Sequence, residues 1–244
     1  RAHHQDALHR LRQRQQTVPG GDVQLPGVVS VSPLTIIGVR LTEREAIIAR
    51  HDVHVWDARG GNYQAAVHIA LGGTTISETR NWVSARAEAG GHEIRFVTTH
   101  LTQQRNQSVQ VAQASELIAL LRHEPDPVIL TGDFNSAADG SQTPTYGMLV
   151  SSGYDDVWAD RYPHAAGFTC CASDDLHDAA LHLDQRLDLV LVRDPRKPHG
   201  NGIVGRVRAE VVGLSPSDRT ASGLWPSDHA GVVANLLLPP LAHP

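Results

Sequence analysis

Polar residues that can do chemistry follow a short apolar run near the middle of the sequence. Residues 128–131 are apolar or β-branched, with a proline before them and a glycine after them, which favours a buried strand over a helix. Asp133 and Asn135 come directly after this run, two positions apart. Layered α/β folds bind ligands where strands end. The alternative is an Asx turn that only ends the strand, since Asp and Asn favour turns.

Three other predicted strand ends carry useful side chains, namely His100, Asp188 and the pair Asp228-His229. Asp188 is the most informative, because it interrupts a run that is apolar on both faces. A carboxylate in such a place costs several kcal/mol unless it has a strong partner. His229 is our candidate, since a carboxylate fixes a histidine's tautomer and supports its imidazolium form. The alternative is a structural ion pair with an arginine.

These residue types point to one class of chemistry. Carboxylates with a carboxamide, and no cluster of thiolates, suit a hard divalent cation such as Mg²⁺. With histidines added, they suit metal-assisted attack by water on a phosphoryl centre. The sequence contains no His-Glu-x-x-His zinc motif, no Gly-x-Ser-x-Gly nucleophile motif and no phosphate-binding Gly-x-x-x-x-Gly-Lys loop.

Strands and helices must bring these residues together. Apolar runs bounded by glycine pairs predict strands at residues 46–49, 65–71, 81–87, 94–98, 128–131, 186–193, 207–212 and 230–238. A helix is expected from Thr102 to the residues before Pro125, with an apolar face and its Gln and Arg residues opposite. A short helix should begin at Pro144 and end at Gly153. This pattern favours mixed sheets in a layered α/β domain.

Composition limits the number of domains and the classes of partner that the chain can have. A chain of 244 residues with 41% hydrophobic residues can form one large domain or two small ones around a sizeable core. The net charge of −5 gives no global electrostatic argument for a tight, non-specific nucleic-acid binder. No apolar run approaches the length that spans a membrane.

The sequence also resembles a known group of proteins. It resembles, in the same order, four motifs of the endonuclease/exonuclease/phosphatase superfamily, which has the deoxyribonuclease-I-like fold: Thr98-Thr-His100-Leu, Thr131-Gly-Asp133-Phe-Asn135-Ser, Arg186-Leu-Asp188-Leu-Val-Leu-Val and Ser227-Asp228-His229. The resemblance covers residues 94–238 and extends more weakly to 41–50. Residues 167–171 resemble a stretch found in a bacterial, often exported, subgroup. The implied fold is an α/β sandwich of two mixed β-sheets with outer helices.

The resemblance implies catalytic roles for five residues. Asp133 would orient or deprotonate the attacking water, and Asn135 would hold a phosphate oxygen in the transition state. Asp188 would pair with His229, which would act on the phosphate as an acid/base or an electrophile. His100 would lie on the opposite side of the phosphate as a hydrogen-bond donor or acid.

The resemblance implies a metal cofactor and a class of substrate as well. Asp228 would help to hold Mg²⁺, or Mn²⁺ or Ca²⁺, together with Asp133 and Asn135. The substrate would be a phosphate ester: a nucleic acid for a nuclease, or an inositol phosphate or sphingomyelin for a phosphatase or phospholipase. A non-catalytic binding relative is the third alternative. We expect a monomer.

The chain departs from the superfamily's pattern near its beginning. Members begin with a strand that ends in an Asn motif and another that ends in Gln-Glu, whose Glu is the principal metal ligand. Neither is found here, and Glu43 and Glu45 are poor substitutes. We therefore expect a single domain over residues 1–244 that lacks its N-terminal strands, with residues 1–40 as a peripheral helix and an irregular connection. Such a chain alone should be weakly active at most.

The two cysteines, Cys170 and Cys171, are adjacent. A ring between neighbouring cysteines is strained, so we expect two thiols or one bridge to a cysteine outside this sequence. Cysteine usage therefore leaves the cellular compartment open.

Overall fold

The frame of the molecule is a six-stranded mixed sheet in the order β3-β4-β5-β6-β8-β7. The computed structural model describes residues 33–36, 39–42, 44–71, 74–196 and 208–237. The strands of this sheet are β3 (Val55–Leu71), β4 (Thr74–Ala89), β5 (His92–His100), β6 (Val128–Asp133), β7 (Asp155–Asp156) and β8 (Asp188–Arg193). Two antiparallel pairs complete the strands: β1 (Pro33–Ile36) with β2 (Val39–Thr42), and β9 (Arg208–Val212) with β10 (Gly231–Asn235).

Helices connect and cover this sheet. They are α1 (Gln107–Leu121), α2 (Thr145–Ser151) and α3 (Val157–Arg161), with short 3-10 helices at Gln104–Asn106 and Pro216–Asp218. Helix α1 is the crossover between β5 and β6, which run parallel, whereas β6 and β8 run antiparallel. The mixed sheet follows from these connections, because parallel neighbours need a long crossover and antiparallel ones do not.

The core has two layers, one on each face of the large sheet. On one face, Leu117 of α1 is fully buried in a cluster with Val97, Leu130 and Leu191 from three neighbouring strands. On the other face, the β9–β10 pair contributes Ala209 to a cluster with buried residues of α3 and β8. Continuous apolar runs in β6 and β8, together with the apolar residues of β5, supply both faces, as expected for strands that are covered on two sides.

The predicted fold class, an α/β layered sandwich of deoxyribonuclease-I type, is confirmed: a mixed sheet and a second, smaller sheet are flanked by helices. The strands expected at 65–71 and 81–87 lie within β3 and β4, which form a much longer hairpin of 17 and 16 residues. The helix expected from Pro144 is α2. The longer predicted helix is α1, which begins at Gln107, five residues after the expected cap.

Several local predictions are wrong. Residues 46–49 form an isolated bridge at Ala46 rather than a strand, and the side chain of Ile48 is 78% exposed. Residues 33–36 and 39–40, expected to be irregular, lie in the β1–β2 hairpin. The polar face expected on α1 is also incorrect, because Gln110 and Gln113 are fully buried. The helix predicted over residues 3–16 lies outside the described residues, and the prediction of a single domain over 1–244 remains a prediction.

The expectation for the cysteines is also wrong. Cys170 and Cys171 are joined to each other by a disulfide instead of standing as two thiols or bridging elsewhere. Across the part of the chain that the structure describes, no helix has the length and apolar character needed to cross a membrane.

Candidate active site

Strand register brings three of the predicted site residues into one row. His100 at the end of β5 is the partner of Asp133 at the end of β6, and Asp133 is in turn the partner of Asp188 at the start of β8. Because neighbouring strands lie roughly 5 Å apart, this register places the three polar groups side by side at one edge of the sheet. The apolar residues of the same strands fix that register by filling the core.

Gly132 allows β6 to approach β5 closely just before Asp133. Its φ of +136° lies in a region that side-chain-bearing residues rarely adopt. A Cβ atom at this position would overlap the carbonyl oxygen of Thr99 in β5. The glycine that bounds the apolar run in the sequence is therefore required for the contact between the two strands that carry His100 and Asp133.

His229 reaches this row from the loop before β10. Its Nδ1 lies 2.8 Å from Oδ2 of Asp188, so the predicted pair is present in the structure. Main-chain hydrogen bonds fix the loop: the N–H of Ala230 donates to the carbonyl of Thr169, and the N–H of Ala172 donates to the carbonyl of Asp228. The hydroxyl of Thr169 accepts from the N–H of Asp188 at 3.1 Å, so one buried threonine links both halves of the pair.

The pairing with Asp188 sets the charge of His229. The hydrogen bond that the imidazole donates to this carboxylate raises the pKa of His229, burial opposes that rise, and the charges of Asp188, Asp133 and Asp228 add to it. A pKa above the ordinary value of 6.5 favours the imidazolium near neutral pH. His229 can therefore present a proton and a positive charge through Nε2.

Asp133 remains ionised although it is largely buried. Burial opposes ionisation, but the hydrogen bond from His100, the backbone N–H of Asn135 and the charge of His229 outweigh it, so the pKa of Asp133 lies below its ordinary value. Nε2 of His100 lies 3.3 Å from Oδ2 of Asp133. A carboxylate in this state can accept a proton or orient a water molecule.

Asn135 forms a turn and also faces the site. Its N–H donates to Oδ1 of Asp133 at 2.7 Å, and its φ is +49°, so the Asx turn considered from the sequence is formed. The side-chain amide donates to the carbonyl of Leu101 at 2.9 Å and to Oδ2 of Asp133 at 3.2 Å. The Asx turn is therefore part of the site, because it holds the Asn135 side chain against Asp133.

All six predicted site residues line a single cleft of about 630 Å³. These are His100, Asp133, Asn135, Asp188, Asp228 and His229. Cys170 and Cys171 line the same cleft. A second cavity of about 450 Å³ adjoins it and shares Gln185 as a lining residue.

The ligand atoms in this cleft are of the type that binds a hard divalent cation. Asp133, Asn135 and Asp228 offer carboxylate and carboxamide oxygens, the ligands that hard cations prefer. No glutamate lines the cleft within the described residues, and there the one close group of three His, Cys, Asp or Glu ligands is Cys170, Cys171 and His229. Three oxygen donors are compatible with Mg²⁺, which usually keeps several waters and takes substrate phosphate oxygens for the rest.

Two residues that support the site were missed by sequence reasoning. Arg80 on β4 is 7% exposed and places Nη1 3.0 Å from Nδ1 of His100. A guanidinium can only donate, so Nδ1 of His100 accepts and its proton lies on Nε2, towards Asp133. Gln110 on α1 donates to the carbonyl of Asn135 at 2.6 Å. An arginine or a glutamine in otherwise regular elements is a weak signal, because such side chains are mostly exposed.

Comparisons with known proteins agree with this fold. The sequence model described as the Endonuclease/Exonuclease/phosphatase family matches residues 27–229. A search of curated proteins found no match.

Solved structures share the same fold at low sequence identity. TDP2 from D. rerio in complex with a single-strand DNA product has 16% identity and a TM-score of 0.54, over 93% of this chain and 81% of the other. The mannosyl-6-phosphatase Bt3783 from Bacteroides thetaiotaomicron has 18% identity and a TM-score of 0.53, over 95% and 82%. An endonuclease/exonuclease/phosphatase from Bacteroides vulgatus has 17% identity and a TM-score of 0.57, over 87% and 76%.

The family match covers most of the chain. The six predicted site residues, which come from the four motifs, meet at one cleft within the matched range. The chain therefore belongs to the Endonuclease/Exonuclease/phosphatase family, a family of metal-dependent phosphoric-ester hydrolases.

Proposed function

We propose that the chain hydrolyses a phosphodiester by attack of water, with Mg²⁺ (or Mn²⁺ or Ca²⁺) as cofactor, in the manner of a nuclease. The observation that carries this proposal is the row formed by His100, Asp133 and the Asp188–His229 pair. An ionised carboxylate stands between two imidazoles that are held by different partners. This arrangement offers a base and an acid within one cleft, as hydrolysis of an ester by water requires.

Asp133 is the residue that acts on water. Its pKa is held below the ordinary value, so it is a carboxylate at neutral pH and can orient the water and take its proton. The Nε2–H of His100 and the N–H of Asn135 point at its two oxygens and fix their direction. A fixed carboxylate aligns the water with phosphorus, which lowers the entropic part of the barrier.

His229 acts on the phosphate. Asp188 holds Nδ1, so Nε2 is the atom that carries a proton or positive charge towards a bound phosphate. Charge builds up on the phosphate oxygens and on the leaving group as the bond to phosphorus breaks. An imidazolium stabilises that charge, and its proton can pass to the leaving oxygen.

Asp133, Asn135 and Asp228 are the residues that would hold the cation. When bound, a divalent cation neutralises the non-bridging oxygens and polarises the phosphorus–oxygen bond. Among these three, Asp133 has both oxygens engaged by hydrogen bonds from His100 and Asn135. Oδ2 accepts from both His100 and the Asn135 amide, and Oδ1 accepts from the N–H of Asn135, so the lone pair left for a cation is on Oδ1, since each carboxylate oxygen has two.

The shape of the cleft supports a diester. The adjoining cavity extends the binding surface past the site by way of Gln185, so a substrate with groups on both sides of the phosphate can be accommodated. The D. rerio TDP2 structure holds a single-strand DNA product. These two observations favour a nucleic-acid substrate.

The charge of the two cavities favours the alternative, a phosphatase or phospholipase that acts on a smaller phosphate ester. Asp174 lines the site cleft, and Asp139 and Asp184 line the adjoining cavity. Carboxylates beside a groove repel a polyanion. A mannosyl-6-phosphatase also shares the fold.

A substrate panel separates these functions. Single-strand DNA, plasmid DNA, RNA, sphingomyelin, inositol phosphates and a sugar 6-phosphate should be incubated with the protein and Mg²⁺, and products measured by chromatography. Cleavage of DNA or RNA supports the proposal, and turnover of the small esters or sphingomyelin alone supports the alternative. If none is hydrolysed, and binding of the same substrates is retained, the chain is a binding relative.

Variants link any turnover to this cleft. Asp133→Asn and His229→Ala should each lower kcat by roughly 10²- to 10⁴-fold, the usual contribution of a general acid or base. His177→Ala is the matched control, because this imidazole is 65% exposed on a loop and does not line the cleft. Circular dichroism must show that all three variants are folded. Full turnover in the Asp133 and His229 variants would refute the mechanism.

A further inference from the structure

A second kind of metal site lies beside the proposed reaction centre. Sγ of Cys170, Sγ of Cys171 and a ring nitrogen of His229 lie within 4.8 Å of one another. Nε2 of His229 is 4.0 Å from Sγ of Cys171, while Nδ1 is occupied by Asp188. The sulfur of Cys171 therefore faces the nitrogen that the proposed mechanism uses, and the sulfur of Cys170 lies beside it.

The backbone builds this group of side chains. Cys170 forms antiparallel bridges with His229 on one side and with Gln185 on the other. The hydrogen bonds from Ala230 to Thr169 and from Ala172 to Asp228 lie on either side of the cysteine pair. Cys170 is fully buried and Cys171 is exposed, so the group has a fixed inner side and an outer side that solutes can reach.

We propose that, once the disulfide is reduced, Cys170, Cys171 and His229 bind a thiophilic divalent cation such as Zn²⁺. A dithiol reductant supplies two electrons and two protons, which break the S–S bond and give two thiols, and the reductant becomes a disulfide. Zn²⁺ then displaces one proton from each thiol and the proton on Nε2 of His229, all three of which pass to the buffer, and bonds to two thiolates and to Nε2. The oxidised protein cannot form these bonds, since thiolates and not disulfides are the ligands.

The ligand set differs from that of the hydrolytic cation. Two thiolates and an imidazole are the soft and intermediate ligands that select Zn²⁺ and reject Mg²⁺, which prefers oxygen. Three protein ligands leave one tetrahedral position for water or an anion. Binding at this site withdraws Nε2 of His229 from the phosphate. The second part of the inference, that Zn²⁺ then stops hydrolysis, rests on the proposed function, whereas the binding itself does not.

Binding can be measured without any substrate. The protein is reduced with a phosphine, desalted without oxygen, and titrated with Cd²⁺ or Zn²⁺ in the presence of excess Mg²⁺. We expect one Cd²⁺ per chain with an ultraviolet sulfur-to-metal charge-transfer band, and Zn²⁺ should remove this band by competition. Protein that has been left oxidised should show no such band and should bind Zn²⁺ at least about tenfold more weakly.

Two variants and a control complete the test. Cys171→Ser changes an exposed side chain, so it should fold, and it should lower Zn²⁺ affinity at least about tenfold and weaken the band. His229→Asn should lower the affinity and keep the band. His177→Ala, away from the group, should match the wild type. An unchanged affinity in Cys171→Ser, or equal binding by the oxidised and reduced protein, would overturn the proposal.

Activity then tests the consequence separately. Against a substrate that the panel shows to be hydrolysed, Zn²⁺ should inhibit the reduced wild type and leave the oxidised protein and Cys171→Ser largely active. If charge-transfer binding is seen but no substrate is hydrolysed, the zinc site stands and the proposed function fails. If hydrolysis is seen but thiolate binding is not, the proposed function stands and the zinc site is refuted.

Discussion

Nδ1 of His229 lies 2.8 Å from Oδ2 of Asp188, although the two residues are 41 positions apart in the sequence. This contact links the first residue of β8 to the loop before β10 and decides both the tautomer and the charge of the histidine. Because Nδ1 is held by a carboxylate, Nε2 is the nitrogen that faces outward, towards Cys171 and the cleft. The pair therefore fixes which nitrogen of His229 is available for the proposed chemistry.

The first prediction concerns pH. Asp188 raises the pKa of His229, and the imidazolium is present below that pKa and lost above it, so kcat/KM should fall as the pH rises through it. Asp188→Asn removes the main cause of the rise. The alkaline limb of the profile should move to lower pH, towards 6.5, and kcat at neutral pH should fall up to about 10²-fold.

Asp174→Asn is the matched control for this profile. Asp174 is an exposed carboxylate that lines the same cleft but has no hydrogen bond with His229 in the described structure. It should leave the alkaline limb in place. The acid limb, which Asp133 sets below its ordinary pKa of 3.8, should be the same in both variants. If the alkaline limb of the Asp188→Asn profile lies at the same pH as in the wild type, His229 does not act as the imidazolium.

The second prediction concerns Arg80 as a positioning residue. Its guanidinium donates to Nδ1 of His100 and so keeps the His100 proton on Nε2, towards Asp133. Arg80→Met should free the ring to exchange tautomers and lower kcat by about tenfold, with a smaller change in KM. Nitrogen NMR of the histidine ring should show a mixed tautomer in the variant.

Arg80→Lys separates positioning from packing, since lysine keeps a donor and a charge but not the planar geometry. It should restore part of the activity and part of the Nε2–H tautomer. If Arg80→Met lowered stability but left the NMR tautomer and kcat unchanged, the role assigned to Arg80 would be incorrect.

The site was predictable from sequence because its residues lie at the ends of regular apolar runs, either just after the run or just before it. β6 and β8 are continuous hydrophobic stretches, and a polar residue at the end of either one must lie at the sheet edge. Asp188 was informative for the same reason, because a carboxylate in an apolar strand needs a partner. What the runs could not give was the register of β5, β6 and β8, which depends on packing between strands that are distant in the sequence.

The failures have a common physical cause. Gln110 and Gln113 were assigned to a solvent face by their polarity, yet they are buried because backbone groups of Thr102, Asn135 and Ala65 need hydrogen-bond partners inside the fold. Residues 46–49 were assigned to a strand by their apolarity, but within the described part of the chain they form one bridge, at Ala46, and belong to no strand. In each case the outcome was decided by tertiary partners rather than by local residue type.

The third prediction concerns the buried side-chain amide of Gln110. Gln110 donates to the carbonyls of Thr102 and Asn135 and accepts from the hydroxyls of Thr143 and Thr145. Gln110→Leu removes all four hydrogen bonds. The Thr143 hydroxyl keeps its bond to Oγ of Ser136, but the two carbonyls and the Thr145 hydroxyl lose the amide, and each buried group left unpaired costs about 1–3 kcal/mol. The free energy of unfolding should fall by about 3 kcal/mol or more, measured with denaturant. Because Asn135 loses its anchor, kcat of the folded variant should also fall.

Gln107→Leu provides the comparison. Gln107 is exposed at the start of the same helix, so this change should alter the free energy of unfolding by less than about 0.5 kcal/mol and leave kcat alone. Equal stability of the two variants would contradict the importance given to the buried amide.

The fourth prediction separates stability from chemistry. Arg95 is 2% exposed and lies at the end of the sheet away from the cleft, because its strand partner is Val128, the first residue of β6. Its Nε lies 3.0 Å from Oε2 of Glu124. Arg95→Met removes the ion pairs to Glu124 and Asp57. Because Glu124 keeps its ion pair with Arg86, the carboxylates are less well paired rather than unpaired, which costs about 1.5–3 kcal/mol. The midpoint of denaturation should fall accordingly.

The activity per folded molecule of Arg95→Met should not fall with its stability. The polar row of His100, Asp133 and Asp188 is at the opposite strand ends, and its register is set by the apolar residues between. Well below its midpoint of denaturation, Arg95→Met should keep the wild-type kcat and pH profile. A shifted alkaline limb in this variant would mean that the ion pair and the Asp188–His229 pair are coupled through the sheet, and the two ends could no longer be treated as independent.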